Sequence, residues 1–362
     1  MSRCLELAAH GRGNVAPNPM VGAVLVADDM IIGEGFHRNF GDAHAEVNAI
    51  AAVNNEALLR RSTMYVNLEP CSHYGKTPPC AELIIRKKIP RVVVACLDPN
   101  PEVAGQGIKM LYDAGIEVIT GVMEREAIEL NRFFIAAHRH QRPYIILKWA
   151  QSADGFIDSK RQDALETPVT FSNSLTRMIV HQLRAEVQAI MVGANTALLD
   201  NPSLSVRYWP GKAPVRVLVD RSLRVPEDCQ LFDGKQQTFI FTTHYPNTDA
   251  ENKNRRNEKV KYFTIDDSAF QLSEITSILY KNDILSLLVE GGACLHRSFF
   301  EENCWNELII ETAPFLLNEG VKSPAFHLYK KAQLIEKQFV YATSPTMQKP
   351  FIRTRYKNDS IL

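Results

Sequence analysis

The first 140 residues alternate short apolar runs with stretches whose apolar residues recur at helical spacing. Short apolar runs bounded by polar turns favour buried strands, whereas longer periodic stretches favour helices. The strand candidates are Val21–Val26, Thr63–Asn67, Arg91–Leu97 and Ile116–Thr120. The helix candidates are Ala43–Val53, Cys80–Lys88 and a stretch around Leu111–Ala114 that Gly115 can end. This alternation predicts an α/β domain with a largely parallel sheet covered by helices.

A polar segment separates this pattern from a second one. Residues 138–143 read HRHQRP, and a new apolar strand candidate, Tyr144–Trp149, follows directly. The length of 362 residues also fits two domains of about 100–200 residues each. We therefore expect an N-terminal domain over residues 1–142 and a C-terminal domain over residues 143–362.

The second half repeats the α/β alternation. Asn173 is a suitable N-cap for a helix whose apolar stripe comprises Leu175, Ile179, Leu183 and Val187. Further strand candidates are Ala189–Val192, Val215–Val219, Thr238–Phe241 and Ile284–Val289. Residues 245–260 are polar and predict a surface loop. The expected fold class is thus α/β for both domains.

Composition narrows the functional classes. Lysine and arginine total 41, and aspartate and glutamate also total 41, so the formal net charge is zero. This balance argues against broad neutralisation of nucleic-acid phosphates, which requires a basic surface. No apolar run approaches the roughly 18–20 residues that span a bilayer, and no secretory signal is visible. We therefore expect a cytoplasmic protein with neither nucleic acid nor membrane as its partner.

The seven cysteines favour reduced thiols or metal ligands over a disulfide framework, since their number is odd and the chain is large. Two short segments carry the residue types of a catalytic zinc site. One is His44-Ala45-Glu46, and the other is PCSHYGKTPPC over residues 70–80, with Cys71, His73 and Cys80. One imidazole and two thiolates give a tetrahedral zinc three ligands and leave the fourth position for water. We expect His44, Cys71 and Cys80 to bind zinc, with His73 as the competing candidate.

Glu46 supplies the general acid–base group that this chemistry needs. Zinc lowers the pKa of its bound water to about 7, and a nearby carboxylate can pass the released proton to a ring nitrogen and a departing amine. We expect His44 and Glu46 to share the first turn of a helix, because their i, i+2 spacing would separate them around a helix interior. Pro79 places Cys80 at the start of another helix, where the pKa of a thiol is lowered. The other cysteines are expected to be packing residues.

The same segments resemble those of a known family. Zinc deaminases carry H-x-E followed by P-C-x-x-C, whereas here the second cysteine lies nine residues after the first. The LEP sequence before Cys71 and the long loop to Cys80 resemble the deaminase domain of the RibD family of bifunctional riboflavin-biosynthesis enzymes. GNVAPNPMVGAV over residues 13–24, and DPNP over residues 98–101 with Gly105 and Gly107, also resemble that family. The resemblance implies a cytidine-deaminase-like three-layer fold and makes Asn18 a candidate pyrimidine contact.

The second half has no GxGxxG or Walker loop, but it has a glycine pair. Gly291 and Gly292 follow a strand candidate and Glu290 and precede a helical stretch, where backbone amides can bind phosphate. The segments that resemble the reductase domain of the same family are KWAQSADGFID (148–158), VGANTALLDNPSLSVR (192–207), VDRSLRVP (219–226) and VEGGA (289–293). The resemblance implies a dihydrofolate-reductase-like fold and NADPH as cofactor.

The resemblance also implies contacts residue by residue. The positions that match NADPH contacts are Thr196, Asp200, Ser222, Gly291 and Gly292. The positions that match substrate contacts are Arg184, Leu204, Arg207 and Glu290. The arginines suit a ribose phosphate, because the guanidinium binds phosphate through a planar fork. The chain departs from the family at residues 167–171, TPVTF, where members often carry an aromatic W-I-T-type segment.

Together these features predict a bifunctional enzyme of riboflavin biosynthesis. Its zinc domain would deaminate 2,5-diamino-6-(5-phosphoribosylamino)pyrimidin-4-one, and its second domain would use NADPH to reduce the ribosyl chain of the deaminated product. The resemblance also implies a homo-oligomer that associates through the C-terminal domain. Two alternatives stand beside this interpretation: a deaminase of nucleic-acid bases, and a C-terminal half that serves interaction or oligomerisation without catalysis.

Overall fold

The computed structural model describes residues 1–74, 78–100, 104–244, 258–326, 332–341 and 349–358. The chain divides into two units, Met1–Arg142 and Pro143–Leu362, each with its own sheet. Three parts of the predicted motifs lie outside the described residues: residues 75–77 of the cysteine loop, Pro101, and most of the polar segment 245–260.

The N-terminal unit is a five-stranded sheet between two layers of helices. Its strands are β1 (Gly22–Ala27), β2 (Met30–Phe36), β3 (Thr63–Leu68), β4 (Arg91–Cys96) and β5 (Glu117–Thr120). Its helices are α1 (Ser2–Ala9), α2 (Ala45–Ala51), α3 (Cys80–Arg86), α4 (Gln106–Asp113), α5 (Glu124–Leu130) and α6 (Arg132–His140). The helices α2, α3 and α4 bury apolar residues on one face of the sheet, and α1, α5 and α6 on the other.

The strand order β2-β1-β3-β4-β5 corrects the expectation of a largely parallel sheet in this unit. β3, β4 and β5 are parallel, but β1 is antiparallel to both β2 and β3. Asp28 and Asp29 link β1 to β2 with φ values of +52° and +61°, which is the two-residue turn that matches the twist of a hairpin. The pattern missed β2 because its sequence, MIIGEGF, mixes glycine and glutamate with apolar residues.

Two glycines of β2 bring helix α2 into direct contact with the sheet. A Cβ on Gly33 would lie 2.4 Å from the Ala49 carbonyl oxygen, and one on Gly35 would lie 2.3 Å from the Ala49 amide nitrogen. Any side chain at either position would therefore displace the helix. This contact sets the position of the N-terminus of α2, where His44 and Glu46 lie.

The C-terminal unit is built on a nine-stranded sheet with a separate two-stranded ribbon. Its strands are β6 (Tyr144–Gln151), β7 (Phe156–Asp158), β8 (Ala189–Gly193), β9 (Val215–Val219), β10 (Thr238–Thr242), β11 (Val260–Thr264), β12 (Ser286–Val289), β13 (Glu307–Thr312), β14 (Val321–Lys322), β15 (Ala332–Val340) and β16 (Phe351–Asn358). Its helices are α7 (Ser174–Glu186), α8 (Ala194–Asp200), α9 (Leu272–Lys281) and α10 (Ala293–Glu301).

The order of the large sheet creates a crevice at one of its edges. The order is β11-β10-β9-β8-β12-β6-β13-β16-β15, and the strands from β11 to β13 are parallel. β12 lies between β8 and β6. On one side of it the sheet continues through β8, β9, β10 and β11, and on the other side through β6 and β13, so the strand order reverses at β12. In open parallel sheets ligands bind at such a switch point, beyond the carboxyl ends of the strands.

Helix α7 begins where the sequence predicts. Asn173 is its N-cap, and the Asn173 side chain accepts a hydrogen bond from the Thr176 amide while Thr176 reciprocates. The predicted apolar stripe is wrong at Leu175, which is 36% exposed; Val187 is buried as predicted, but it is the C-cap and lies just outside the helix. The buried face is rotated so that it includes His181, which faces polar groups of the site described below.

Among the described residues, no helix is long and apolar enough to cross a bilayer. The chain's three tryptophans all lie in the C-terminal unit, so their fluorescence reports on that unit alone.

The enclosed imidazole of His296 predicts a stability that depends on pH. Burial lowers the pKa of His296 from 6.5 to about 4, and its Nε2 donates to the Val289 carbonyl at 3.0 Å. Since the unfolded chain binds this proton below pH 6.5 and the native state only below about 4, the free energy of unfolding must fall as the pH falls through that window.

We expect the urea midpoint, followed by tryptophan fluorescence, to drop less between pH 7 and pH 5 in His296→Gln than in the unsubstituted chain. An equal drop in both proteins would contradict this assignment. Measurements at pH 7 provide the control, because the His296 ring is largely neutral there in both the folded and the unfolded chain.

Candidate active sites

The N-terminal unit brings three soft donor atoms together. His44 is the N-cap of α2, Cys71 follows β3, and Cys80 is the first residue of α3, with Pro79 as its N-cap. His44 Nδ1 lies 3.5 Å from Cys71 Sγ and 3.3 Å from Cys80 Sγ. The three atoms all lie within 4.8 Å of one another. A sequence separation of 36 residues is thereby closed at the ends of two helices.

This donor set fits zinc. A tetrahedral zinc with one nitrogen and two sulfur ligands separates its donors by roughly 3.5–3.8 Å, close to the distances found here. Hydrogen bonds from the Cys80 thiol and from His44 hold the pKa of Cys71 well below its ordinary value. The Cys80 backbone amide also donates to Cys71 Sγ at 3.2 Å, which favours a thiolate at that position. His73, the competing candidate, is exposed and is not part of this cluster.

Glu46 lies in the first turn of α2 and is only 3% exposed. Burial, and next the neighbouring Cys71, raise the pKa of its carboxyl to about 7. Its carboxyl also makes a hydrogen bond to Cys80. His44 and Glu46 lie at the same helix N-terminus, as expected, and His44 is the N-cap.

Asn18 reaches this cluster through a residue that the sequence analysis missed. Asn18 Nδ2 donates to His37 Nε2 at 3.0 Å, and His37 Nδ1 donates to the Ala43 carbonyl at 3.1 Å. The His37 and His44 rings meet edge to face at 5.7 Å. Burial lowers the pKa of His37, which keeps its ring neutral at pH 7. The sequence signal that could have identified His37 is its position directly after β2, but β2 was not predicted.

Glu69 binds the backbone amides of Asp98 and of three residues between Gly105 and Ile108. Its Oε1 accepts from the amides of Gly107 (2.9 Å) and Ile108 (3.3 Å), and its Oε2 accepts from those of Gly105 (2.9 Å) and Asp98 (3.1 Å). A Cβ on Gly107 would lie 2.0 Å from the Pro70 carbonyl oxygen, so only glycine allows this approach. Glu69 of the LEP sequence therefore contacts Asp98, the first residue of the DPNP sequence, and Gly105 after it.

The C-terminal unit has a pocket of about 600 Å³ at the carboxyl ends of β6, β8, β9 and β12. Six of the predicted positions line it, namely Thr196, Asp200, Ser222, Glu290, Gly291 and Gly292. Arg184, Leu204 and Arg207 do not line it. Cys294 is exposed and does line it, so the expectation that it is a packing residue is wrong.

The glycine pair fits a nucleotide diphosphate. A Cβ on Gly291 would lie 2.8 Å from Val192 Cγ1 and 3.1 Å from Thr196 Oγ1, so a side chain at this position would occupy the space between Gly291 and Thr196. Gly292 has φ of +76° and is the N-cap of α10. Helix N-termini present unpaired amides and a positive dipole end, which favour phosphate.

Asp200 is held by an arginine that the sequence analysis did not single out. Arg161 donates to Asp200 Oδ1 and, through Nε at 2.7 Å, to Asp158 Oδ2. Its side chain is 3% exposed, and it also lines the pocket. Lys148 is likewise a site residue that was not predicted, although it begins the segment KWAQSADGFID. It lines the pocket beside Glu290, and its Nζ lies 3.3 Å from Glu311 Oε2.

The predicted substrate positions form one connected group beside the pocket. Arg184 binds Glu290 through Nε (3.1 Å) and a second guanidinium nitrogen (2.6 Å). Burial alone would raise the pKa of Glu290, but Arg184 outweighs it and holds that pKa below its ordinary value. The Arg207 amide donates to His181 Nδ1 at 2.9 Å, and its guanidinium donates to Ser203 Oγ at 2.7 Å. Leu204 is 4% exposed and has φ of +48°, so its side chain packs inside the loop between α8 and β9 instead of facing a ligand.

Comparison with known proteins covers both units. Residues 1–96 match the family described as cytidine and deoxycytidylate deaminase zinc-binding region, and residues 143–344 match the RibD C-terminal domain. The riboflavin biosynthesis protein RibD of Bacillus amyloliquefaciens is 44% identical over 328 residues, which are 90% of this chain and 86% of that protein. The RibD of Aquifex aeolicus (strain VF5) is 39% identical over 322 residues, 89% and 88% of the two chains.

Solved structures extend this similarity to the fold. Acinetobacter baumannii RibD superposes with a TM-score of 0.84 at 32% identity, covering 98% of this chain and 97% of that one. A diaminohydroxyphosphoribosylaminopyrimidine deaminase/5-amino-6-(5-phosphoribosylamino)uracil reductase from Thermotoga maritima has a TM-score of 0.82 at 34% identity, covering 99% and 97%.

A zinc-binding deaminase region followed by a reductase domain defines a bifunctional deaminase and reductase. The chain belongs to the RibD family of riboflavin biosynthesis. It is thus an enzyme with a hydrolase and an oxidoreductase activity that uses zinc and NADPH, and the predicted α/β class of both domains is confirmed.

The Glu69 assembly predicts local protection from hydrogen exchange. Glu69→Gln replaces one acceptor oxygen with an amino group, which cannot accept from the facing amides. We expect the Gly105 or Gly107 amide to exchange about 10-fold faster, the equivalent of about 1.4 kcal/mol. Glu117→Gln, at an exposed ion pair in the same unit, is the control. Unchanged exchange at residues 105–108 in Glu69→Gln would contradict the proposed bracing.

Proposed function

We propose that Met1–Arg142 catalyses hydrolytic deamination of 2,5-diamino-6-(5-phosphoribosylamino)pyrimidin-4-one, and that Pro143–Leu362 then reduces the ribosyl chain of the product with NADPH. The observation that carries the first activity is the His44, Cys71 and Cys80 triangle beside buried Glu46. The glycine pair that lines the C-terminal pocket supports the second. The Thermotoga maritima relative is named for these two activities.

In the deaminase site, His44 Nδ1 and the sulfurs of Cys71 and Cys80 would hold zinc. Zinc bound in this way lowers the pKa of a coordinated water and so supplies hydroxide at neutral pH. The carboxyl of Glu46 accepts the proton of the attacking water and delivers it to the leaving amine, which departs as ammonia. Burial raises the pKa of this carboxyl above its ordinary value, which suits a group that must both take up and release a proton near neutral pH.

Asn18 and His37 position the pyrimidine in this proposal. The hydrogen bond to His37 orients the Asn18 amide, which leaves its carbonyl oxygen free to accept from the substrate. His37 is in turn fixed by Ala43, one residue before the ligand His44. The substrate contact and the zinc ligand are therefore aligned through a single histidine ring.

In the reductase site, the nicotinamide of NADPH supplies the hydride. Gly291, Gly292 and Thr196 line the pocket and would hold the diphosphate, and the largely buried Lys148 and Glu290 line it where the ribosyl chain would be reduced. The Arg184 guanidinium donates two hydrogen bonds to the Glu290 carboxylate and so orients it. Arg207 is exposed, and among the described residues its guanidinium contacts the uncharged Ser203 hydroxyl and the Tyr208 ring, so it is the better cation for the substrate phosphate.

The substrate in this proposal is a small molecule, with neither nucleic acid nor membrane as a partner. A formal charge of zero argues against the broad basic surface that nucleic acid requires. Both halves match the RibD family, which disfavours a C-terminal half without catalysis. We also place the enzyme in the cytoplasm, in accord with its seven free thiols.

We further propose that the chain forms a homo-oligomer through the C-terminal unit. β15 is at the edge of the large sheet, and its apolar residues Leu334 and Phe339 are 50% and 54% exposed, with Ile335 at 40%. An exposed apolar edge strand pairs readily with another chain. A second copy of this strand is the occupant that a two-fold interface would supply.

Light scattering after size exclusion tests this interface. We expect Leu334→Glu with Phe339→Glu to halve the molar mass of the particle, because charge is introduced at its apolar surface. Leu165→Glu, at a 93% exposed leucine of the same unit, should leave the mass unchanged. An unchanged mass in the double variant would place the interface elsewhere or exclude it.

Paired variants test the assignment of the two activities. Cys80→Ser should abolish both stoichiometric zinc and ammonia release. Glu46→Gln should keep zinc and lower ammonia release about 10²–10⁴-fold, because only the proton transfer is lost. Both variants should oxidise NADPH normally when given the deaminated product, which also serves as the control for folding. A Glu46→Gln enzyme with full deaminase activity, or loss of both activities in Cys80→Ser, would contradict the assignment.

A further inference from the structure

The N-terminal unit has a second concave surface, away from the zinc cluster. It is a cavity of about 350 Å³ between the last residues of α3 and the short 3₁₀ helix Glu56–Arg61, which precedes β3. Helix α3 begins at the zinc-ligand position Cys80 and ends at Arg86. Seven residues at 1.5 Å each give the helix a length of about 10 Å. The cavity and the zinc cluster therefore lie at opposite ends of one helix.

The charges that line this cavity are unbalanced, although the whole chain is formally neutral. Arg60, Arg86, Lys87 and Lys88 line it, and Glu56 is the one carboxylate among its lining residues. Lys87 Nζ donates to Glu56 Oε1 at 2.7 Å. Within the described parts of the chain, the other three cations have no carboxylate within ion-pair distance, and all three are exposed. Three positive charges therefore remain uncompensated around one concave surface.

The backbone at Lys88 is a second, independent observation. Lys88 follows the C-cap of α3 and has φ of +57°. Its amide donates to the Ile85 carbonyl at 2.9 Å, and the Ile89 amide donates to the Ile84 carbonyl at 3.3 Å. Helices that end with this pair of bonds usually have glycine at the left-handed position, because a Cβ there crowds the backbone. A cation is thus held at the cavity in a conformation that favours glycine, and such strain is typical of functional sites.

We propose that this cavity binds a small phosphate-bearing anion, of the size of diphosphate or the phosphate groups of a nucleotide, through Arg60, Arg86 and Lys88. The two guanidinium groups offer planar forks to phosphate oxygens, and the ammonium group adds a compact charge. The cavity is within the size range of small-molecule sites, whereas a polymer would need an extended basic surface. The proposal is independent of the proposed deaminase and reductase activities.

A purely structural role for these cations predicts a different outcome. Arg86 lies in the last turn of α3, where a cation interacts favourably with the helix dipole. If that were its whole role, its loss would lower the stability of the unit and leave the affinity for anions unchanged. Lys88→Gly would then only relieve the backbone. Affinity and stability, measured on the same variants, therefore separate the two roles.

The test measures binding of inorganic diphosphate to the full-length chain by titration calorimetry. We expect Arg60→Ala, Arg86→Ala and Lys88→Gly each to raise the Kd about 3- to 10-fold, because each removes one exposed charge from the cavity. Lys88→Gly should also slow hydrogen exchange in β3 and β4, since glycine suits the left-handed position. Weaker binding by a more stable protein cannot result from unfolding, so this variant keeps the test decisive.

Two further variants control for general charge effects. Glu56→Gln removes the negative charge of the cavity and should lower the Kd about 2- to 3-fold. Arg61→Ala, at the neighbouring arginine that pairs with Asp28 at 2.9 Å and does not line the cavity, should leave the Kd unchanged. Diphosphate that bound the C-terminal pocket instead would bind all these variants equally, and that result would overturn the proposal. So would the absence of saturable binding at millimolar diphosphate.

Further titrations identify the source of the phosphate. Inorganic phosphate, diphosphate, AMP and ADP are each compared between the unsubstituted chain and Arg86→Ala, so that binding to the C-terminal pocket cancels. A larger Arg86-dependent affinity for ADP than for diphosphate would support the site and identify a nucleotide as its occupant. Equal affinities would support it with the phosphate groups alone as the recognised part. Arg86-dependent binding of a single-stranded oligonucleotide, with none of any small anion, would overturn the proposal.

Discussion

The convergence of one imidazole and two sulfurs within 4.8 Å is the constraint on which the N-terminal unit depends. His44 and Cys80 begin two different helices, and the sheet holds both helix N-termini at one point. The position of α2 is set by backbone contact at Gly33 and Gly35, where no side chain fits. The donors are thus pre-arranged, and the entropic cost of collecting them is met by folding and not by metal binding.

Buried charges support both sites in different ways. In the N-terminal unit, the carboxylate of Glu69 accepts hydrogen bonds from four backbone amides, and none of these four partners is a cation. In the C-terminal unit, Arg184 with Glu290 and Arg161 with Asp200 are paired arginine and carboxylate groups. Such pairs gain little net stability because desolvation offsets their attraction, so their value lies in fixing the direction of each group.

Local sequence was sufficient where short-range chemistry decides the structure. Asn173 caps α7 because its side chain bonds an amide three residues away, and Pro79 precedes the α3 N-terminus because its φ suits that position. Distant contacts were beyond such patterns. His37 was missed because β2 mixes polar and apolar residues, and Arg161 because its partner Asp200 lies 39 positions further along the chain.

The chain by itself determined the donor types, their order and the glycine pair, since these are properties of residue identity and close spacing. Only the tertiary structure decided that His73 stays outside the metal cluster, that Arg184 binds Glu290, and that Arg60 and Arg86 line one cavity. The physical reason is that coordination and charge compensation act through distance in space. Residues far apart in the chain are brought to that distance by strand order and helix packing, which local periodicity does not encode.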